Sequence, residues 1–299
     1  MNNQSESSQF SESYKETSYW LDDISASDLK NNHWPELPEQ TDLVIIGSGY
    51  TGLNAAIETT AQGVETLVID QGDLGQGCST KNGGQISTSI KPTLKALSEK
   101  YGVEKANAIR QEGLNALNWI EDFIALENLN CEFIRCGRFH GAHTPSQYEQ
   151  MCATLNDLSQ ENIIAYPVEK FAMSSELGTH FYHGGLVFPD NASLHPAKYH
   201  RELIRLAVER GSKLIGNCKA LKISRDSDRF VISTSQGEVV TKKLAIATNG
   251  YTSSLTPWLK RRIIPIGSYI IATECLHAEL MDRLFPTNRM ITDSRKVVF

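Results

Sequence analysis

Four consecutive apolar residues, Leu43-Val44-Ile45-Ile46, run directly into Gly47-Ser48-Gly49-Tyr50-Thr51-Gly52. This junction constrains the fold more than any other feature of the chain. An apolar run with three β-branched members suits a strand buried on both faces, as in a parallel sheet. The glycines then have separate tasks. Gly47 permits a tight turn, Gly49 lets backbone approach a pyrophosphate, and Gly52 lets a helix pack against the strand. A helix is expected from Thr51 to Gln62, with Leu53, Ala56 and Ile57 inward and Gly63 at its C-terminus. Thr66-Leu67-Val68-Ile69 reads as a second buried strand, completing one βαβ unit within about 30 residues. Asp70 follows at its end, where a carboxylate can accept both ribose hydroxyls of an adenosine and would repel the 2′-phosphate of NADP. Turn, helix N-terminus and acid together predict dinucleotide binding, with helix N–H groups facing the phosphates. The fingerprint alone does not separate FAD from NAD.

Two further segments narrow the choice. Gly75-Gln76-Gly77-Cys78-Ser79-Thr80-Lys81-Asn82-Gly83-Gly84-Gln85 is polar and glycine-rich, directly after the second strand. An NAD dehydrogenase would continue there with another helix–strand repeat. Ser79, Thr80 and Asn82 suit a second phosphate, Lys81 adds a charge, and Gly83 and Gly84 leave room for a flat ring. Far downstream, Leu244–Thr248 reads as a buried strand ending in Asn249-Gly250-Tyr251. Such an Ala-Thr-x-Gly strand lies beside the first glycine turn in flavoproteins of the two-dinucleotide-fold superfamily.

The rest of the chain alternates helix and strand patterns. Residues 92–129 read as helix, 132–142 as strand, 147–158 as helix, and 196–210 as a helix opened by Pro196 and closed by Gly211. Strands are expected at 213–223 and 229–235. A turn at Gln236-Gly237 leads to a short partner strand at 238–241. Residues 263–273 form a long β-type stretch. Residues 1–17 are rich in Ser, Glu and Asn and read as a disordered or tethering tail. Residues 18–40 are expected to pack on the body without regular structure, Pro35 and Pro38 opposing a helix.

The net charge of −6 and the absence of a basic block give nucleic-acid binding no support, and no apolar run is long enough for a membrane span. An anionic cofactor must then be held by local N–H groups. The N-terminus lacks the basic and apolar regions of an export signal, and Cys78, Cys131, Cys136, Cys152, Cys218 and Cys275 are scattered, so reduced thiols and a cytoplasmic location are expected. Cys131, Cys136, His140 and His143 do not have the spacing of a zinc site, and no metal is expected. His180, His183 and His195 are read as structural.

On these motifs the chain resembles the FAD-dependent amine and amino-acid oxidases of the D-amino-acid-oxidase type, and within it the group around gamma-glutamylputrescine oxidase. The residues that carry the resemblance are Gly47–Leu53, Lys81-Asn82-Gly83-Gly84-Gln85, His195-Pro196, Ala247-Thr248-Asn249-Gly250-Tyr251, Pro265 and Thr273-Glu274. Relatives often have Arg at 81, Glu at 70 and Val at 220. The resemblance implies FAD, with adenosine on Asp70 and Gln71, the backbone of Ala220 near the adenine, and the isoalloxazine near Gly83, Gly84 and Gln85. The candidate cofactor-binding set is therefore Gly47, Gly49, Tyr50, Thr51, Gly52, Asp70, Gln71, Ser79, Thr80, Lys81, Asn82, Gly83, Gly84, Gln85, Ala220, Thr248, Asn249 and Gly250. Catalytic residues stay unassigned, because the family's flavin-edge turn, oxygen-activating lysine and flavin-linking cysteine fall beyond residue 299.

The implied fold is α/β: a Rossmann-like FAD-binding domain (38–91 and 161–260) interrupted by an α+β substrate domain with a mixed or antiparallel sheet (92–160 and 261–299, incomplete), after an N-terminal segment (1–37). The implied function is oxidation of the C–N bond of an amine or amino acid, such as a gamma-glutamylated polyamine, by hydride transfer to flavin. Oxygen or another acceptor then takes the electrons. Two alternatives stay open: an NAD-dependent Rossmann enzyme, and a truncated or split flavoprotein that binds nucleotide but relies on a second chain for catalysis.

Overall fold

The computed structural model describes residues 15, 17–24 and 34–295. Most of the expected 1–17 tail therefore lies outside the described residues. Elements follow in chain order as α1 (Tyr19–Asp22), β1 (Gln40–Ile46), α2 (Tyr50–Ala61), β2 (Thr66–Ile69), β3 (Gln85–Ser87), α3 (Leu94–Tyr101) and α4 (Val103–Leu126). Next come β4 (Arg138–Gly141), α5 (Pro145–Ala153), α6 (Leu155–Gln160), β5 (Tyr166–Glu169), β6 (Gly184–Phe188), β7 (Asn191–Ser193) and α7 (Pro196–Glu209). The last are β8 (Lys213–Ile215), β9 (Ala220–Asp226), β10 (Arg229–Thr234), β11 (Gly237–Ile246), α8 (Pro257–Lys260), α9 (Ala278–Leu284) and β12 (Met290–Asp293).

The apolar run of β1 is explained by what covers it. One sheet has the order β8-β2-β1-β11-β10-β9. β1 is parallel to β2 on one side and to β11 on the other. Alternate β1 side chains point to opposite faces. Leu43 and Ile45 join Leu53, Ala56 and Ile57 of α2 and Leu203, Ile204 and Ala207 of α7 in one core. Val44 and Ile46 join Leu67, Ile69, Ile215, Ile232 and Val239 in the other. A strand buried on both faces cannot alternate polar and apolar residues, so it reads as a continuous apolar run.

A second sheet has the order β12-β4-β6-β5. β12 runs parallel to β4, and the β4–β6 and β5–β6 pairs are antiparallel. Its core contains Phe139, Val168, Met173, Leu177 and Val187. A two-stranded ribbon, β3 with β7, ties the glycine-rich loop to the approach to α7, pairing Gln85 with Ser193. The fold is α/β with mixed sheets.

Several expectations need correction. The 92–129 helix is broken at Gly102, whose φ of +83° no helix interior accommodates. The 147–158 helix is two helices meeting at Thr154. Only Arg138–Gly141 of the 132–142 stretch is strand, since Glu132 (φ +55°) and Gly137 (φ +74°) bend the chain before it. The 213–223 strand is two strands at opposite edges of the first sheet, parted by Asn217 at φ +54°. By contrast, 238–241 and 244–248 merge into one strand, because β11 pairs with β10 along its start and with β1 along its end. Tyr19–Asp22 forms a single helical turn where no regular structure was expected.

The 263–273 stretch is not a strand. Ile264, Ile266, Tyr269 and Ile271 are 84–94% exposed. A strand needs a neighbouring edge for its N–H and C=O groups, and among the described residues no sheet edge lies against this one. Residues 166–188 differ too. They were expected in the nucleotide domain, but β5 and β6 hydrogen-bond into the second sheet beside β4.

Leu53 is fully buried between α2 and the first sheet. Leu53→Ala is expected to destabilise the protein by about 2–5 kcal/mol, read as a lower urea midpoint with an unchanged m-value.

Candidate functional site

The turn between β1 and α2 is set by how closely its parts approach. A β-carbon on Gly52 would lie 1.9 Å from the Gly47 carbonyl oxygen. Gly47 has φ +113°, and a β-carbon there would lie 2.5 Å from the Ala247 oxygen of the segment after β11. Neither position admits a side chain. The helix therefore starts directly at the strand end, with Gly49 as its N-cap and no acidic residue in its first turn. First-turn N–H groups lack intrahelical partners. That of Tyr50 donates to Ser79 Oγ at 3.2 Å.

A cavity of about 550 Å³ opens in front of this helix end. Ligand sites commonly occupy roughly 300–1,000 Å³. Its walls include Gly47, Gly49, Tyr50, Asp70, Gln71, Ser79, Lys81, Asn82, Ala220, Thr248 and Asn249, all expected site residues. The remaining seven do not line it. Thr51 and Gly52 belong to the first helical turn, Thr51 exposed outside the cavity and Gly52 buried against Gly47. Thr80 is buried, its hydroxyl donating to Gly75 O at 2.5 Å, so it braces the loop. Gly84, at φ +67°, packs so that a β-carbon would lie 2.1 Å from Leu194 O. Gln85 belongs to β3 and Gly83 precedes it. Gly250 sits beyond the rim in a 3-10 turn.

Asp70 is engaged by the protein itself. Its Oδ2 accepts from Ser48 N and Ser48 Oγ, both at 2.8 Å, and its Oδ1 accepts from Gly72 N at 3.2 Å. The carboxylate thus holds the glycine turn in place and still borders the cavity. His200 of α7 continues the chain, its Nε2–H donating to Ser48 O at 2.7 Å. With Nε2 donating, Nδ1 is the bare nitrogen, and it is buried without a partner. Burial is the main influence holding His200 below its ordinary value, so the ring is neutral. Asn82 laces the loop: its side chain donates to Ser79 O (2.9 Å) and accepts from Gly84 N (2.9 Å). Tyr50 donates to Pro196 O at 3.1 Å, and burial pushes its phenol up to about 12.

Ser48 and His200 were missed by sequence reasoning. Ser48 occupies a variable position of the fingerprint, and only its distance to Asp70 exposes its role. His200 is 152 residues from Ser48, and no local pattern signals it. Lys219 and Tyr251 also line the cavity. The exposed Cys78 thiol lies 3.5 Å from the Tyr251 hydroxyl. His195 caps α7, its Nδ1 accepting from Lys198 N at 3.1 Å, which is the expected structural role. His140 bonds Thr292 Oγ1 at 2.8 Å. Burial pushes the Cys131 thiol up to about 11, away from thiolate chemistry.

The arrangement fits a dinucleotide: glycines that admit backbone alone, a helix N-terminus without an acidic first turn, a carboxylate at the end of β2, and lysines at 81 and 219. A model of the family described as FAD dependent oxidoreductase matches residues 42–299. The chain belongs to this family. Its members bind FAD. The probable oxidoreductase OrdL of Rhizobium meliloti (strain 1021) is 30% identical over 89% of this chain and 62% of its own length. Gamma-glutamylputrescine oxidoreductase of Escherichia coli (strain K12) is 26% identical, over 84% of this chain and 59% of its own. The chain thus spans about three fifths of the length of these relatives. Glycine oxidase from Geobacillus kaustophilus shares the family fold, with a TM-score of 0.60 at 15% identity over 75% of this chain and 59% of its own.

Two predictions test the site. Asp70→Asn is expected to weaken FAD retention by about tenfold or more, given that hydrogen bonds to charged groups contribute about 1.5–3 kcal/mol. Ser48→Ala leaves the backbone donor in place and should weaken it less; flavin released on ultrafiltration measures both. The second concerns pH. His200 is held neutral in the fold, whereas the unfolded chain takes up a proton below the ordinary 6.5. Stability present above that value is therefore lost as pH falls beneath it, at about 1.4 kcal/mol per pH unit for each proton taken up. His140 and His195, also lowered by burial, add in the same direction. His200→Gln should remove one proton's share of the slope in denaturation curves between pH 7 and 5.

Proposed function

We propose that this chain is the FAD-binding and substrate-facing part of an oxidoreductase that oxidises the C–N bond of an amine or amino acid, with gamma-glutamylated polyamines as the substrate class. The observation that carries the reading is the joined cavity. One space is bordered by the first glycine turn, Asp70, the 75–82 loop and Thr248-Asn249. A site for NAD has no use for the long polar loop, whereas an FAD site extends past the adenosine toward a ring.

In this reading the α2 N–H groups hold the pyrophosphate, helped by Lys81 and Lys219. Asp70 accepts from the ribose without releasing Ser48, since a carboxylate has about four lone-pair sites. Asn82 fixes the loop that leads to the exposed Gly83, where backbone without a side chain permits close approach by a flat ring. Tyr50 stays a neutral phenol under the loop and closes its inner side to water. FAD, when bound, supplies the two-electron acceptor for the substrate's C–H bond, and the protein orients both partners. Oxygen or another acceptor takes the electrons afterwards.

The proposal includes the division of labour between the sheets. The unit around β1 and β11 serves the nucleotide, and the β12-β4-β6-β5 sheet faces the substrate. It also includes a cytoplasmic setting, which the six unpaired cysteines suit.

The full protein is expected to purify with the visible absorption of oxidised flavin, and that absorption should bleach when gamma-glutamylputrescine is added without air. Flavin-free protein that binds NAD would overturn the reading. Flavin that bleaches with another amine but not with this one would overturn the substrate class alone.

A further inference from the structure

A second cavity, of about 220 Å³, shares no lining residue with the nucleotide groove. It lies between the 88–90 segment, α4, the end of α6 and the Arg138–Phe188 end of the central strands β4 and β6. Three cations and three carboxylates lie in or beside it, but they pair unevenly. Arg110 is ion-paired with Glu161 and also donates to Ile90 O at 2.8 Å. Asp190 is taken up by Arg135 at 2.7 Å, and Arg135 also reaches Glu121. Arg138 is left over. Its guanidinium stacks on the Phe188 ring, 4.7 Å from the centroid, and its Nε is buried without a hydrogen-bond partner. Among the described residues no carboxylate pairs with it.

Arg138 is half-buried, and a guanidinium with a desolvated, unpartnered Nε is costly, since buried polar and charged groups are as a rule paired. Beside it stands a second unmet demand. Asn191 is 2% exposed; its Nδ2 donates to Phe188 O at 3.4 Å, but its Oδ1 is buried and accepts nothing. The cavity therefore presents a guanidinium without a carboxylate partner and a bare amide oxygen, with Ser89 and Thr88 on the wall. The guanidinium fork matches the two oxygens of a carboxylate. The amide oxygen requires an N–H. A monoanion on the one unpaired guanidinium leaves less excess negative charge than a phosphate dianion would, and the volume of about 220 Å³ suits an amino acid rather than a nucleotide.

We propose that this cavity binds a small carboxylate that also carries an N–H donor, an amino acid or its amide-linked derivative, with the carboxylate on Arg138 and the N–H on Asn191. Position gives such binding a route to the cofactor loop. Asn191 pairs with Ser87 at the far end of β3, and β3 begins directly after Gly84. The carboxylate has two sources, the oxidisable substrate itself or a free amino acid acting as an effector. Its binding does not depend on the proposed reaction and is measured separately from it.

The test is calorimetric titration of the full FAD-loaded protein with L-glutamate, and with putrescine as an amine lacking the carboxylate. Saturable L-glutamate binding is expected, weakened at least tenfold by Arg138→Met, which keeps an apolar stem over Phe188, and weakened less by Arg138→Lys, which keeps the charge but loses the fork. Circular dichroism and flavin content show whether each variant is folded; if Arg138→Met is not, the Lys variant decides. Absence of saturable L-glutamate binding, unchanged binding in the folded variants, or putrescine binding that depends on Arg138 overturns the proposal. Competition between L-glutamate and the oxidised amine assigns the carboxylate to the substrate. Binding without competition assigns it to an effector, and both results uphold the site.

Discussion

The structure turns on a contact that leaves no room for a single carbon atom. Gly52 lies so close to the Gly47 carbonyl that a methyl group would overlap it. This approach fixes the angle at which α2 leaves β1. It aims the helix N-terminus at the cavity and lays Leu53, Ala56 and Ile57 onto the sheet. The other side of the turn is held by Ala247, again at a distance only glycine tolerates. Once the two backbones are this close, Ser48 has its amide and hydroxyl facing Asp70 and its carbonyl facing His200. Three segments from distant parts of the chain are thereby joined through one residue.

Much of this was legible in the sequence, for a physical reason. Glycine at 47 and 52 and an acid at 70 are required by local sterics and local charge, and local requirements leave local traces. The same holds for α7, which begins at Pro196 and ends before Gly211. What was not legible depended on partners remote in sequence. Whether 238–248 was one strand or two depended on β10 and β1 lying on either side of it. The strands 166–169 and 184–188 have neither a long apolar run nor a clean alternation; 184–188 is a strand because β4 offers an edge, and 166–169 because 184–188 offers the next. The 263–273 stretch shows the converse: β-branched residues without an edge do not make a strand.

The site divides in the same way. Eleven of its expected residues line the cavity, and the others support it from behind or from its rim. Thr80 and Gly84 were read as ligand contacts because of their residue types. In the fold a hydroxyl braces Gly75 and a glycine admits Leu194. Small and polar residues serve loop architecture and ligand contact equally well, and composition cannot distinguish the two uses. The reverse holds at Arg138, an unremarkable residue in sequence whose isolation becomes visible only when every neighbouring charge has found its partner.

β11 gives the molecule a timetable. The strand occupies the middle of the first sheet, yet it pairs with a strand some 200 residues earlier in the chain, as Lys242 and Asp42 mark. During synthesis β1 and β2 emerge long before it, with one edge of β1 open and the Gly47 turn lacking its Ala247 wall. Contacts of such separation close slowly, and unpaired edges attract other chains meanwhile. The nucleotide groove thus comes into being late, when the ribosome has passed residue 249, and the waiting β1 edge is the part of the nascent chain most in need of protection.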